Sequence, residues 1–135
     1  MSLYGWLGEE VMKKKVMVVD DEADILTSLR TVFERQNFEV ITVESGFKCL
    51  EELEKGFKGV VLMDIMMPEM DGWDTIKEIV KRGFMKNIAI EIITGIGTRD
   101  HNKMNGFESF IQDYHTKPLD IEQLISSVEK CDIAK

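Results

Sequence analysis

Long apolar runs are missing from this chain. The longest uninterrupted ones, such as Val16–Val19 and Val60–Met63, are about four residues, against the roughly 20 needed to cross a bilayer. No charged start followed by an apolar stretch opens the chain, so no secretory signal is expected. Cysteine is scarce. Cys49 and Cys131 lack metal-type spacing and fall inside helical patterns, so they read as reduced, half-buried thiols of a cytoplasmic protein rather than a disulfide. Positive charge is in deficit: 17 Lys and Arg stand against 25 Asp and Glu, a formal charge of −8. Such a surface repels phosphate backbones and argues against direct nucleic-acid binding. What is present is a core. With 44% apolar residues in 135, the chain suits one folded domain that buries roughly two-thirds of its unfolded surface, and disorder is not expected.

Residues 1–14 fit neither strand nor helix and read as an N-terminal extension, with Met1-Ser2-Leu3 as a cloning remnant; the domain is expected over 15–135. From Lys15 the pattern alternates. Val16–Val19 is a short β-branched run, as in a strand buried on both faces. Ile25, Leu26, Leu29, Val32 and Phe33 form the stripe of a helix that stops near Asn37. Phe38–Val43 alternates as a strand. Ser45 caps a helix carrying Phe47, Leu50 and Leu53 and ended by Gly56. Val60–Met63 is a third strand, and Asp71 caps a helix bearing Trp73, Ile76, Ile79 and Val80. Ile88–Thr94 is a fourth strand. Met104, Phe107, Phe110 and Ile111 suggest a helix between Gly95 and Gln112, poorly supported because glycine and asparagine interrupt it. Tyr114–Lys117 reads as a fifth strand, and Asp120 with Gln123 opens a last helix as a capping box. Five strands alternating with five helices imply an α/β, doubly wound, five-stranded parallel sheet.

In such a sheet, chemistry collects beyond the C-terminal ends of the strands. Those positions hold Asp20, Asp21 and Glu22, then Asp64, Thr94 and Lys117. Two carboxylates about 4 Å apart repel by about 4 kcal/mol at an effective dielectric near 20, so the cluster calls for a cation. Hard oxygen donors favour Mg2+, which also accepts a phosphate oxygen. The first loop lacks the glycines of a flavin or dinucleotide site. Lys117 and Thr94 suit phosphoryl oxygens, and Asp64 suits a nucleophile forming an acyl phosphate. Taken singly, each residue has a plainer reading as a cap, a turn or a strand end. The signal lies in their joint placement.

The segments Val16–Glu22, Val61–Gly72 (with Asp64-Ile65-Met66-Met67-Pro68-Glu69-Met70-Asp71-Gly72), Ile92–Gly95 and Asp113–Pro118 together resemble the receiver domain of response regulators in two-component signalling. The resemblance implies a flavodoxin-like fold with strand order 2-1-3-4-5. It implies that Asp64 accepts a phosphoryl group from a phosphohistidine of a sensor histidine kinase or histidine phosphotransfer protein. It further implies Mg2+ held by Asp21, Asp64 and the backbone carbonyl of Met66, with Asp20 acting through water. Lys117 would clamp a phosphoryl oxygen, and Thr94 and Tyr114 would switch together. The Lys117-Pro118 bond resembles the family's cis peptide. Such a domain is a signalling switch with slow autodephosphorylation rather than a turnover enzyme, a monomer or weak dimer away from the membrane, with a downstream target the sequence does not name. The apolar Met66 and Ile96 flanking the site imply a long-lived phosphoryl group.

Two other readings compete. A phosphorylation-independent docking module usually lacks the nucleophile, an acidic partner or the lysine, all present here. An aspartyl-nucleophile phosphatase wants a general-acid Asp two residues after the nucleophile, and position 66 is Met. Three positions depart from the family's pattern: Gly95, where a small alanine is usual; Phe110, where a helix-ending glycine is expected; and Glu91, inside a strand that should be apolar. Glu91 must find a partner, reach solvent or carry a proton.

Overall fold

The computed structural model describes residues 13–95 and 106–131. Five strands, β1 (Lys15–Val19), β2 (Glu39–Val43), β3 (Gly59–Asp64), β4 (Ile88–Thr94) and β5 (Ile111–Thr116), form one sheet in the order β2-β1-β3-β4-β5. Every pairing is parallel. Four α-helices are present among the described residues: α1 (Ala23–Arg35), α2 (Gly46–Glu54), α3 (Gly72–Lys81) and α4 (Ile121–Lys130). The extension over 1–12 and most of the expected fifth helix, on 96–105, lie outside the described residues.

Alternation along each strand sends neighbours to opposite faces, and the core divides accordingly. Met17, Val19, Val61, Met63, Ile90 and Ile92 pack with the apolar faces of α2 and α3. Val16, Val18, Val60, Leu62 and Ile93 pack with Leu29 and Phe33 of α1 and Leu124 and Val128 of α4. All six residues of β3 are buried, which places Asp64 at the end of the fully buried central strand of the sheet. Each fully buried Val or Leu on these strands contributes about 1.5–3 kcal/mol. Phe33 meets Phe38 edge-on, centroids 5.2 Å apart, and ties the end of α1 to the entry of β2.

The helix starts follow local chemistry. Ser45 accepts a hydrogen bond from Lys48 N–H, Asp71 from Asp74 N–H and Asp120 from Gln123 N–H, so each side chain satisfies a donor that the helix leaves over.

The last strand departs from expectation. It begins at Ile111, not Tyr114, and ends at Thr116, one residue before Lys117. Phe110 belongs to a 3-10 turn over Glu108–Phe110, not to a helix. The cause is a bulge: Ile90 pairs with Ile111 and Glu91 with Asp113, so Gln112 is skipped. One extra residue breaks the alternation by which a strand is recognised.

Candidate functional site

The first loop carries its acids for a reason other than helix capping. The N-cap of α1 is Glu22, whose side chain makes no capping bond. Asp20 instead turns back into the protein, fully buried, and its Oδ1 accepts from Glu22 N–H at 2.9 Å. Asp21 stays exposed at the rim.

Asp64 ends β3 almost completely buried. Its Oδ1 accepts from Met66 N–H at 3.2 Å, and the next residue, Ile65, donates its N–H to the carbonyl of Ile93 on β4. The start of α3 presses against this turn. A Cβ on Gly72 would lie 2.5 Å from the Asp64 carbonyl oxygen and 2.8 Å from Ile65 Cα, so only glycine allows the approach. Gly72 N–H then donates to the Ile65 carbonyl at 2.9 Å. Sequence reasoning gave this glycine no role beyond its place in the motif, although its position one residue after a cap is the available signal.

Lys117 reaches across from the end of β5. Its Nζ lies 3.0 Å from Asp20 Oδ2, 3.6 Å from Glu22 Oε1 and 3.9 Å from Asp64 Oδ2. The ammonium therefore leans on Asp20 more than on Asp64, and Glu22 joins the cluster. Its backbone is pinned as well, with Lys117 N–H donating to the Thr94 carbonyl at 2.7 Å, and the following bond to Pro118 is cis. Thr94 ends β4, buried in the same crevice. Tyr114 sits further back on β5, half-buried against the core facing α2 and α3. Met66 projects at the rim, 60% exposed; Ile96 lies outside the described residues.

Electrostatics sets what this crevice holds. Carboxylate oxygens of Asp20, Asp21 and Asp64 lie within 4.8 Å of one another. Burial, and then the charge of Asp20, push the Asp64 carboxyl up to about 7, with Lys117 offsetting only part of the rise. Burial alone would lower the Lys117 ammonium, but its hydrogen bond to Asp20 and the charges of Asp64, Asp20 and Glu22 outweigh it and hold it above the usual lysine range. One ammonium does not neutralise three carboxylates. The donors are hard oxygens, and one of them opens to solvent, which fits a divalent ion that keeps part of its water shell.

Residues 16–129 match the family model described as the response regulator receiver domain. The chain belongs to that family. A CpxR homologue of Haemophilus influenzae, named a transcriptional regulatory protein, is 32% identical over 115 residues, covering 85% of this chain and 48% of that protein. The alkaline phosphatase synthesis transcriptional regulatory protein PhoP of Bacillus subtilis is 30% identical over 118 residues, covering 87% and 48%. This receiver thus spans about half the length of the curated relatives it matches. Among solved structures, a CheY-like response regulator receiver domain from Methanospirillum hungatei superposes with a TM-score of 0.82 at 44% identity, covering 87% of this chain and 92% of that one.

The receiver fold brings together Asp20, Asp21, Asp64, Thr94 and Lys117 from four loops at one edge. Glu91 and His115 sit elsewhere, deep in β4 and β5, and no helix among the described residues is long and apolar enough to cross a membrane.

Proposed function

We propose that this receiver is a phosphoacceptor switch and that Asp64 is the residue modified. The observation that carries the reading is the buried Asp64 carboxylate held among Asp20, Asp21 and the Lys117 ammonium. The phosphoryl group comes from a phosphohistidine of a sensor histidine kinase or a phosphotransfer protein: the N–P bond breaks, an Asp64 Oδ–P bond forms, and the imidazole leaves with the electron pair. Asp21, Asp64 and the Met66 carbonyl would hold Mg2+, with Asp20 acting through water; when bound, the ion neutralises charge on the transferring group. Lys117 exchanges part of its contact with Asp20 for a phosphoryl oxygen, and Thr94 donates its hydroxyl to another. Because Lys117 N–H is bonded to the Thr94 carbonyl, movement at one is felt at the other. Tyr114, three residues before Lys117 on β5, completes the switch as a population shift that alters binding of a downstream target.

In this reading the protein acts in the cytoplasm as a monomer or weak dimer and does not itself contact nucleic acid. It turns nothing over beyond its own slow dephosphorylation, which the exposed Met66 side chain slows by hindering water. Incubation with a small phosphodonor and Mg2+, followed by intact-mass measurement, tests it. The expected result is a gain of one phosphoryl group that disappears in Asp64→Asn and when Mg2+ is chelated. Absence of modification in the unaltered chain would favour a phosphorylation-independent docking module, and rapid decay of the modified form would overturn the long lifetime.

A further inference from the structure

Glu91 is a charged residue with no exposed surface in the middle of a parallel sheet, and what surrounds it is not a simple ion pair. Its Oε1 lies 2.6 Å from His115 Nε2 and 3.0 Å from Ser127 Oγ, and its Oε2 lies 2.8 Å from Cys131 Sγ. Asp113 Oδ2 lies 2.7 Å from the same Ser127 Oγ and 3.8 Å from His115 Nε2. An imidazole, a thiol and two carboxylates, drawn from β4, β5 and the end of α4, thus converge at one edge of the sheet. A surface pocket of about 170 Å3, lined by Glu91, Gln112, Ser127, Lys130 and Cys131, leads to the Glu91 carboxylate and the Cys131 thiol.

Two features show that the cluster is short of positive charge. Ser127 has one hydroxyl proton and stands at hydrogen-bond distance from two carboxylates, so it serves one of them at a time. Among the described residues, His115 is the one basic side chain within ion-pair distance of either acid. Two carboxylates therefore share a single imidazole, with Glu91 removed from water altogether, an arrangement that is costly unless fully compensated.

We propose that Glu91, Asp113, His115 and Cys131 form a transition-metal site of the Zn2+ class, separate from the crevice at the strand ends. Nitrogen and sulfur donors beside carboxylates select Zn2+ over Mg2+. With bonds of about 2.0–2.3 Å, tetrahedral zinc ligands stand about 3.3–3.8 Å apart. Asp113 and His115 already meet that spacing. Ligand atoms of Glu91, Asp113 and His115 lie within 4.8 Å of one another, so these three need only small shifts, while Cys131 Sγ, which stands against Glu91 Oε2, must swing inward by side-chain rotation to become the fourth ligand. Glu91 and Cys131 line the pocket, and Ser127 links Glu91 to the half-exposed Asp113 behind it. Bound there, the ion ties the C-terminal end of α4 to β4 and β5. A thiol must give up its proton to bind a metal, so binding at Cys131 releases a proton and tightens as pH rises.

Titration of the full chain with Co2+, then displacement by Zn2+, tests the site. The expected result is a thiolate-to-cobalt charge-transfer band that Zn2+ removes, and a Zn2+-dependent rise in melting temperature. The band disappears in Cys131→Ser, affinity falls by more than about tenfold in His115→Gln, and both responses persist in Asp64→Asn. His115→Gln keeps a donor for Glu91, and a cooperative thermal melt in the absence of metal reports that each variant is folded. No band with the unaltered chain, a band that survives Cys131→Ser, or responses lost in Asp64→Asn instead would overturn the proposal. None of these outcomes depends on whether Asp64 accepts a phosphoryl group.

Discussion

At the C-terminal strand ends, three carboxylates face one ammonium, and the Asp64 carboxyl is driven up to about 7. Along the middle of β4 and β5, two carboxylates face one imidazole. There Asp113 is held below the usual range although burial opposes it, because Ser127, the Tyr114 N–H and the His115 charge outweigh that burial. The two clusters belong to the same sheet but differ in who supplies the compensation. In the inner cluster, donors from β5 and α4 come to the acids, so the network cross-links elements. In the crevice the donors are few, and the imbalance opens toward solvent through Asp21. A group left under-compensated at an accessible rim is a site waiting for a ligand; acids that draw donors from two neighbouring elements, even while short of positive charge, also fasten those elements together.

The largest effect should come from breaking the fastener. Glu91→Ala leaves His115, Ser127 and Cys131 without their shared acceptor and opens space on the α4 face of the sheet; the expected loss is about 3 kcal/mol in denaturant unfolding. Replacing both members of the ion pair, Glu91→Ile with His115→Leu, should recover most of that loss, because apolar residues of similar volume remove the buried charges together. If the double variant is as unstable as the single one, the cluster is not held by this pair.

The crevice should respond with the opposite sign. The folded state keeps a proton on Asp64 that the unfolded chain releases near pH 4, so without divalent ions stability falls as pH rises from about 4 to 7. Asp64→Asn removes that slope. At pH 8 in chelator it should be more stable than the unaltered chain by on the order of 2 kcal/mol, with the difference vanishing below about pH 4. Saturating Mg2+ should stabilise the unaltered chain and leave Asp64→Asn nearly unmoved. Thermal melts across pH, with and without Mg2+, check both statements, and a stability that climbs from pH 4 to 7 in chelator would contradict them.

Most of what positions the crevice was legible because it is local. The boundaries of β4 coincide with its apolar run Ile88–Thr94, and the caps Ser45, Asp71 and Asp120 sit where short polar side chains precede an apolar stripe. The strand-end residues followed from topology alone. What escaped depends on contacts between distant segments. The start of β5 was hidden by the bulge at Gln112, which no single-strand pattern reveals. Glu91 could be seen to need a partner, but its partner is His115, 24 residues away on the neighbouring strand, and choosing it requires the register that the bulge shifts. The preference of Lys117 for Asp20 over Asp64 is likewise a matter of about an ångström between side chains.

The two ends of α4 give the smallest and sharpest test. At its start, Asp120 satisfies the N–H of Gln123 at 3.1 Å on an exposed turn; at its end, Ser127 and Cys131 reach into the Glu91 cluster. If the helix is fastened mainly from its C-terminal end, Asp120→Ala should cost only the cap, about 1 kcal/mol, and leave Mg2+ affinity and phosphoryl acceptance unchanged. Ser127→Ala removes a hydroxyl that serves Glu91 and Asp113 alternately, so it should cost more than the cap although it deletes one atom, and amide hydrogen exchange should rise along α4 and β5 together. In Asp120→Ala the rise should be confined to the first turn of α4. Equal, local effects from the two substitutions would mean that α4 is held by Leu124 and Val128 alone and that the inner cluster fastens nothing.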